Sequence, residues 1–413
     1  MVAGLSEGGG WVKGDPGDLA NERPLAVLVT GHYLRSDRKA GFHWLADALS
    51  QMGFSVTMMT TGISWLSVLR RDHRMRYGLR KRQFRSLDQR ADMASIVWFT
   101  PWHPGNLRSR LMNWLVSSRY RKYGELDLGH TEMQLRTADL LLFDAGPGLM
   151  LVERSRAMNP NALLLLRASD DLRAMNQHQV VLEADSHVAG LFDDISVPSA
   201  GVSRRYSGVS RTYLDHHGVA KGLFDASAES PYDNGYQAHA VFIGNGFFDY
   251  EFLAIAREAA PEICFHIIGP ISGLRESRNV VLYGEMPFES TVPYVVHANV
   301  GLHTLEAGVH SATFSDSLKT RQYAYCRLPI VAPVSIPLDL PGAVFYQLNE
   351  SSIRSALSSA LELDRSALTP VIIDDWHDLA QRIVHRGLRY REACGASVTP
   401  RLSQWAAAAR PGP

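Results

Sequence analysis

Three successive segments in the last third of the chain decide its fold: VLYGEM at 281–286, YVVHANVGLHTLEAG at 294–308 and SDSLKTRQYAYCRLPIVAP at 315–333. One apolar strand ends at Gly284 and Glu285, a second ends near Leu302, and a helix that carries Lys319 begins close to Ser315. Strand ends and helix starts of this kind are where an open parallel sheet holds a nucleotide. Lys319 can reach a diphosphate and Glu285 can accept both ribose hydroxyls, although either residue is also common as a surface charge.

The same alternation of strand, turn and helix runs through most of the chain. A first series of strands is predicted at 24–32, 54–61, 95–101, 138–146, 162–171, 194–200 and 211–219, and a second series at 239–243, 263–270, 279–286, 299–305 and 328–333. Strands that are apolar on both faces and alternate with helices form parallel sheets covered by helices on both sides. The sequence therefore predicts an α/β protein of GT-B type, with two Rossmann-like, doubly wound domains facing a cleft.

Composition shifts along the chain suggest where its parts begin and end. The expected parts are a loose Gly-rich extension at 1–23, a first Rossmann-like domain at 24–219, a linker at 220–237, a nucleotide-binding domain at 238–373, and a helix with a tail at 374–413 that returns toward the first domain. The linker is rich in Ser, Ala, Gly, Pro and Asp.

Bulk composition excludes several classes of protein. The 413 residues are too many for one ordinary core, and 46% hydrophobic with 20% charged residues is typical of a globular protein. Acidic and basic residues number 42 each, so the protein has no net positive charge that would attract nucleic acid. The three cysteines, Cys264, Cys326 and Cys394, are far apart and show neither a disulfide framework nor metal-ligand spacing, which suits a reducing compartment. No apolar run approaches the roughly 18 residues that span a bilayer, so a cytoplasmic location is expected.

Two acids follow a run of four leucines in RASDDL at 167–172. The carboxyl end of such a strand lies in the cleft of an open sheet, so Asp170 or Asp171 is a candidate general base that removes a proton from an attacking hydroxyl. The alternative is that Ser169 or one of the acids caps the following helix.

Other short motifs carry less information. Glycines in GNGFFD at 244–249 let backbone N–H groups approach phosphate, although a plain tight turn is more usual. HHGV at 216–219 can line the cleft, but a structural histidine is the more common role. The chain contains no Asp-x-Asp, so Lys319 and backbone amides are expected to hold the diphosphate without a metal or other cofactor. It also lacks Walker, Gly-x-Ser-x-Gly and HExxH motifs, which argues against kinase, hydrolase and metalloprotease functions.

The strongest charge feature lies at 65–85, where eight basic residues and one acid between Arg70 and Arg85 are interleaved with aromatic and aliphatic residues. More aromatic and basic residues follow: Trp98, Phe99, Trp102, Arg108, Arg110, Arg119, Arg121 and Lys122. This combination predicts peripheral binding to an anionic membrane surface. A solvated basic loop or a nucleic-acid site is the alternative, and the absence of any nucleic-acid motif favours the membrane.

Five segments, taken in order and spacing, resemble the xanthan-type, inverting GT-B glucuronosyltransferases of bacterial exopolysaccharide assembly: NPNALLLLRASDDL, FDYEFL, FHIIG, NVVLYGEM and SLKTRQYAYCRLP. The resemblance extends from about residue 25 to 376. It implies transfer of glucuronate from UDP-glucuronate to the mannose of a polyprenyl-diphosphate-linked oligosaccharide, by an enzyme at the inner face of the plasma membrane. The first domain would bind the acceptor and the second would bind the nucleotide sugar.

The resemblance also implies roles for individual residues. Asp170 matches the catalytic base, and Arg38 matches a basic residue that faces the donor carboxylate, a group that arginine binds bidentately. The positions that would contact UDP are Gly246, Glu285, Met286, Leu318, Lys319 and Gln322. Three positions depart from the family pattern: Leu305 stands for a tyrosine near the nucleotide, and Gly246 and Leu318 stand for methionines. These departures bear on how the protein packs against the uracil ring and on which donor it uses.

Two alternatives remain at the level of sequence. One is a different nucleotide-sugar donor, or epimerase chemistry, on the same fold. The other is a membrane- or nucleic-acid-binding protein that keeps the scaffold without the activity.

Overall fold

The computed structural model describes residues 23–36, 38–72, 74–75, 88–90, 93–226, 229–233, 235–244, 246–306 and 315–409. The predicted Gly-rich extension and most of the predicted basic segment, at 73 and 76–85, lie outside the described residues.

Two sheets form in chain order, one in each half of the chain. The strands of the first sheet are β1 Leu25–Thr30, β2 Ser55–Ser64, β3 Asp88–Arg90, β4 Met93–Thr100, β5 Leu140–Asp144, β6 Leu163–Arg167, β7 Asp194–Val197 and β8 Thr212–Leu214. The strands of the second sheet are β9 Ala238–Ile243, β10 Ile263–Ile268, β11 Val280–Gly284, β12 Val300–Leu302, β13 Ile330–Pro333 and β14 Ala343–Tyr346.

Helices connect most of these strands. The α-helices are α1 Gly41–Gln51, α2 Trp65–Leu69, α3 Arg110–Arg121, α4 Glu132–Thr137, α5 Val152–Met158, α6 Gln179–Val188, α7 Ala200–Ser203, α8 Lys221–Asp225, α9 Tyr250–Ala259, α10 Phe288–His297, α11 Leu318–Tyr325, α12 Glu350–Glu362, α13 Trp376–Ala393 and α14 Pro400–Ala408. None of the helices in the described part of the chain is long and apolar enough to cross a membrane.

The first sheet has the order β3-β4-β2-β1-β5-β6-β7-β8, and every strand pair in it is parallel except β3 with β4. All five residues of β6, four leucines and Arg167, are buried, because helices cover both faces of the sheet. The predicted strand at 211–219 is shorter than expected. It ends at Leu214, and the side chain of the next residue, Asp215, pairs with the nearly buried Arg386.

The second sheet is entirely parallel, in the order β11-β10-β9-β12-β13-β14. Its core is aromatic and aliphatic, with Phe242, Phe252, Phe265 and Tyr346 all buried between the sheet and helices α9 and α12. The predicted linker at 220–237 contains the short helix α8, and Phe224 of that helix packs into the second core.

The long helix α13 carries the chain back to the first sheet. Its first residue, Trp376, packs against two glycines, since a Cβ on Gly41 would lie 3.3 Å from the indole and a Cβ on Gly218 would lie 3.0 Å from it. Farther along, a Cβ on Gly387 would lie 2.6 Å from Leu165 of β6, so the helix and the sheet approach closely only because these positions lack side chains.

A buried cluster of charges locks α13 to the first sheet. Arg386 binds Asp194 at 2.8 Å and Asp215 at 2.5 Å, and all three side chains are nearly excluded from water. Asp215 also accepts a hydrogen bond from Ser196, and its backbone carbonyl accepts one from the fully buried Arg167. Carboxylates that lose water at this site depend on the guanidinium for stabilisation.

We expect Arg386→Met to destabilise the fold by about 3–5 kcal/mol, because it removes the ion-pair partner of the buried Asp194 and leaves Asp215 with only the partly exposed Arg382. Thermal unfolding should shift downward by on the order of 10 °C. Arg136→Met removes the exposed pair with Glu132 and serves as the control, with an expected loss below about 1 kcal/mol. Equal shifts in the two variants would contradict the role assigned to Arg386.

Candidate active site

The carboxyl ends of the two sheets face each other and are joined by direct contacts. Arg38, in the loop after β1, pairs with Glu285, which follows β11, with 2.7 Å between Nη2 and Oε1. Lys39 pairs with Glu289 at 3.3 Å, and the ring of Trp44 meets that of Phe288 edge-on at 4.9 Å. The structure therefore forms the cleft that the sequence predicts.

Three glycines line the second sheet's side of this cleft. Gly244, Gly269 and Gly284 stand at the carboxyl ends of the adjacent strands β9, β10 and β11. Gly269 has a φ of +137°, and a Cβ there would lie 1.7 Å from the carbonyl oxygen of Gly244. The backbones of β9 and β10 therefore approach each other closely at this edge, and a side chain at Gly269 would not fit.

Lys319 lies beside the first of these glycines. It occupies the first turn of α11, whose N-cap Ser317 accepts a hydrogen bond from the backbone N–H of Thr320. The Lys319 ammonium lies 3.8 Å from the ring centroid of Phe242, and it is 3.7 Å from where a Cβ on Gly244 would be. Burial lowers the pKa of Lys319 to about 7, so an anion bound here would restore the protonated form. A cation and a helix N-terminus together form a site suited to phosphate.

Arg38 and Glu285, which the sequence assigned to the sugar carboxylate and the ribose, bind each other in this structure. Their side chains are about 34% and 43% exposed, so the ion pair is accessible to solvent and exchangeable. A ligand that brings both a carboxylate and a ribose can replace each partner of this pair with one of its own groups. The prediction that both residues face the same ligand is compatible with this geometry, and their roles stay predictions.

The remaining predicted nucleotide contacts differ in exposure. Met286 is partly buried against the second core, Leu318 packs against the first core, and Gln322 is buried within α11. Gly246 is exposed and has no atom within 4 Å of a Cβ built on it, and its nucleotide contact stays a prediction. Leu305, which stands for a tyrosine in the resembling family, is a core residue paired with Phe248.

On the first sheet, Asp170 follows β6 at the cleft. The adjacent Asp171 caps the next turn, accepting backbone hydrogen bonds from Arg173 at 2.7 Å and Ala174 at 3.0 Å. Asp170 takes no part in that cap. Of the two acids, Asp171 therefore has the capping role, and Asp170 stays the candidate base. Asp170 is an exposed residue, yet desolvation of its carboxylate by the surrounding protein raises its pKa, and the nearby cations Arg167 and Arg205 oppose that rise. A carboxylate with a raised pKa is a better proton acceptor than an ordinary aspartate.

The sequence reasoning missed a second acid, Asp144 at the end of β5. Its carboxylate accepts a hydrogen bond from Thr30 at 2.8 Å and lies 3.9 Å from Nε2 of His32. Burial, reinforced by the negative charge of Asp170, raises the pKa of Asp144 to about 8. The available signal was LLLFDAG, an apolar strand that ends in an acid in the same way as β6 does.

The HHGV motif also has a role that the sequence did not resolve. His217 is buried, with Nδ1 3.4 Å from a guanidinium nitrogen of Arg167. His216 contacts Asp316 at 2.6 Å, and Asp316 binds Arg321 of α11 at 2.6 Å. The motif therefore connects the end of the first sheet to the helix that carries Lys319.

Comparison with known proteins agrees with this geometry. Residues 28–198 match the family model described as glucuronosyltransferase GumK, N-terminal domain. The chain is 28% identical over 377 residues to the UDP-glucuronate:glycolipid 2-beta-glucuronosyltransferase of Xanthomonas campestris pv. campestris, covering 88% of this chain and 90% of that protein. The chain is thus similar to a xanthan-type glucuronosyltransferase over most of its length. This similarity confirms the resemblance found in the sequence, and the chain is a glycosyltransferase.

Solved structures show the same fold at low sequence identity. Sucrose-phosphate synthase from Thermosynechococcus elongatus superposes with a TM-score of 0.61 at 14% identity, covering 91% of this chain and all of that one. UDP-N-acetylglucosamine 2-epimerase from Rickettsia bellii superposes with a TM-score of 0.53 at 10% identity, covering 91% and 98% of the two chains. The predicted GT-B fold is confirmed.

We expect Asp144→Asn to stabilise the protein increasingly as the pH rises from 5 to 9. An acid whose pKa is raised on folding binds more protons in the folded state, so the wild type loses stability as pH rises between its unfolded pKa and about 8. The amide keeps a hydrogen-bond acceptor for Thr30 and never ionises. Melting temperatures of variant and wild type across this range test the effect, with the exposed Glu258→Gln as control. A difference that is independent of pH would contradict a buried, titrating Asp144.

Proposed function

We propose that this protein transfers glucuronate from UDP-glucuronate to the mannose of a polyprenyl-diphosphate-linked oligosaccharide in exopolysaccharide synthesis. The relative in Xanthomonas campestris carries the name of a glucuronosyltransferase that uses UDP-glucuronate and a glycolipid. The observation that supports the donor most directly is the Arg38–Glu285 pair. It holds a guanidinium from the first sheet beside the nucleotide side of the cleft, where the carboxylate of a uronic acid can bind it.

The proposed donor site lies on the second sheet. Glu285 accepts the ribose hydroxyls once Arg38 has turned to the sugar carboxylate. Lys319 and the N-terminus of α11 receive the charge of the diphosphate, a role for which the chain needs no Asp-x-Asp motif. Met286, Leu318 and Gln322 surround this position, and no metal ion or further cofactor has a part in the proposed scheme.

Asp170 is the proposed base. It takes the proton of the acceptor hydroxyl as that oxygen attacks the anomeric carbon, and the bond from that carbon to the diphosphate breaks on the opposite face. UDP leaves with the bonding electron pair. A single displacement inverts the anomeric centre, so an α-linked donor yields a β-linked product.

Replacing Asp170 by Asn should lower kcat by roughly a hundredfold or more, because the amide cannot accept the proton. Binding of UDP, followed by calorimetry, should change little, since Asp170 belongs to the other sheet. Asp171→Asn is the matched control, because the neighbouring acid caps a turn. Equal losses in both variants, or full activity in Asp170→Asn, would reject Asp170 as the base.

Arg38→Ala should remove the preference for UDP-glucuronate over UDP-glucose. The lost carboxylate contact should appear as a fall in kcat/KM for UDP-glucuronate of about tenfold to a hundredfold, from a charge-assisted bond of roughly 1.5–3 kcal/mol. The value for UDP-glucose should change little. Equal use of both donors by the wild type would contradict the proposed specificity for glucuronate. It would favour the alternative, a GT-B transferase that uses a different donor.

We also propose that the enzyme binds an anionic membrane surface through its first half, where the lipid-linked acceptor must enter. Helix α3 carries four apolar side chains with large exposed fractions: Leu111 64%, Met112 47%, Trp114 72% and Leu115 53%. Basic residues stand at both ends of the helix: Arg108, Arg110, Arg119, Arg121 and Lys122. An exposed apolar helix face with cations at its ends is typical of interfacial helices. Interfacial binding at this face is compatible with a cytoplasmic protein peripherally attached to the plasma membrane.

Leu111→Ser with Leu115→Ser should weaken flotation with vesicles that contain anionic phospholipid, because the variant loses apolar area that enters the interface. The double variant Leu361→Ser with Ile372→Ser removes exposed apolar residues of the second half and is the control. Flotation that is unchanged in the first variant would contradict membrane binding by α3. Binding that does not weaken at high salt would contradict the contribution of the basic residues.

A further inference from the structure

A cluster of two histidines and a cysteine lies in the second sheet, away from the cleft. His239 and Cys264 are the second residues of β9 and β10, and His266 is the fourth residue of β10. The parallel register places His239 opposite Cys264, and His266 follows two residues later, so all three side chains share one face of the sheet. His239 and Cys264 stand five residues before Gly244 and Gly269, roughly 16 Å from the nucleotide end of the sheet at about 3.3 Å per residue.

The potential ligand atoms of the three residues converge. One ring nitrogen of each histidine and the Cys264 sulfur lie within 4.8 Å of one another, and all three residues are buried. Nδ1 of His239 lies 3.0 Å from Nε2 of His266. Two imidazole nitrogens and a thiol directed at one point are a ligand set that zinc prefers.

The opposite nitrogen of each ring has its own polar partner. Nε2 of His239 lies 3.1 Å from the backbone carbonyl oxygen of Asp233, and Nδ1 of His266 lies 2.9 Å from the hydroxyl of Tyr283. The ring of Tyr232 stacks on His239 with 4.3 Å between the centroids. Histidines that bind metals are commonly held by a hydrogen bond from the other ring nitrogen, which sets the tautomer and orientation of the ring.

We propose that His239, Cys264 and His266 bind one Zn²⁺ ion that stabilises the second half of the chain. Tetrahedral bonds of about 2.0–2.1 Å separate two nitrogen ligands by roughly 3.3 Å, so the histidine rings need to part by only a few tenths of an ångström. Three protein ligands leave one position for a solvent molecule. The ion has no part in the transfer step, because it sits at the amino ends of the strands.

Binding requires a defined rearrangement of protons. In the metal-free protein one proton lies between the two facing nitrogens. As Zn²⁺ binds, that proton moves to the Tyr283 side of His266 or to solvent, and the Cys264 thiol releases its proton to solvent. The thiolate offsets one of the two positive charges, and the carboxylate of Asp233, whose charge acts on both Cys264 and His266, offsets part of the other.

A metal ion at this site would fix the segment that precedes β9. Tyr232 and Asp233 precede β9, and their contacts with His239 connect this segment to the sheet. A bound ion would therefore tie that segment to β9 and β10. Stabilisation by an ion that binds only the folded state grows with its free concentration.

Titration of the apo protein with Co²⁺, after treatment with a chelator, tests the site without any substitution. One Co²⁺ per chain should give the near-ultraviolet charge-transfer absorption of a cobalt–thiolate bond, together with the visible bands of four-coordinate Co²⁺. Zn²⁺ should abolish both signals by displacement and should raise the melting temperature.

The other two cysteines supply matched controls. The charge-transfer band should vanish in Cys264→Ser and persist in Cys326→Ser and Cys394→Ser, since those thiols lie elsewhere in the fold. A band that survives Cys264→Ser, or Co²⁺ binding without a thiolate band, would overturn the proposal. Unchanged melting with Zn²⁺ in the wild type would overturn the stabilising role.

Discussion

The pairing of buried charges around Asp215 is the constraint on which the arrangement of the first sheet and its returning helix depends. Its carboxylate binds Arg386 of α13, and its carbonyl binds Arg167 at the end of β6. Arg167 is fully buried and borders the cleft, so its charge must be matched from within the protein. Asp215 therefore holds both helix α13 and the end of strand β6, which Asp170 follows in the chain.

The cleft follows from this arrangement together with the contacts across it. His216 reaches Asp316 beside α11, and Arg38 reaches Glu285 after β11. Both links join a residue of the first half to the carboxyl end of the second sheet. Under the proposed function, the donor meets groups that already pair with each other, and its binding exchanges one set of charge partners for another.

Local pattern was enough to predict most of the architecture. The four leucines of β6 and the apolar run of β1 are buried on both faces, as alternation with helices requires in a parallel sheet. The acid at the end of β6 was found in the same way. Asp144 was not, because LLLFDAG was interpreted only as a buried strand leading into a helix. Its raised pKa comes from burial and from the charge of Asp170, which is distant in sequence.

The sequence by itself determined the two sheets, the cleft between their carboxyl ends and the resemblance to the xanthan-type enzymes, since these depend on periodicity and on motifs that are contiguous in the chain. Only the tertiary structure decided which charges pair. Arg38 and Glu285 are far apart in sequence, and nothing local indicates their contact. The cysteines showed no metal-ligand spacing, yet the register of β9 and β10 brings Cys264 beside two histidines. Contacts of this kind arise from strand register and sheet packing, which join residues without regard to their separation along the chain.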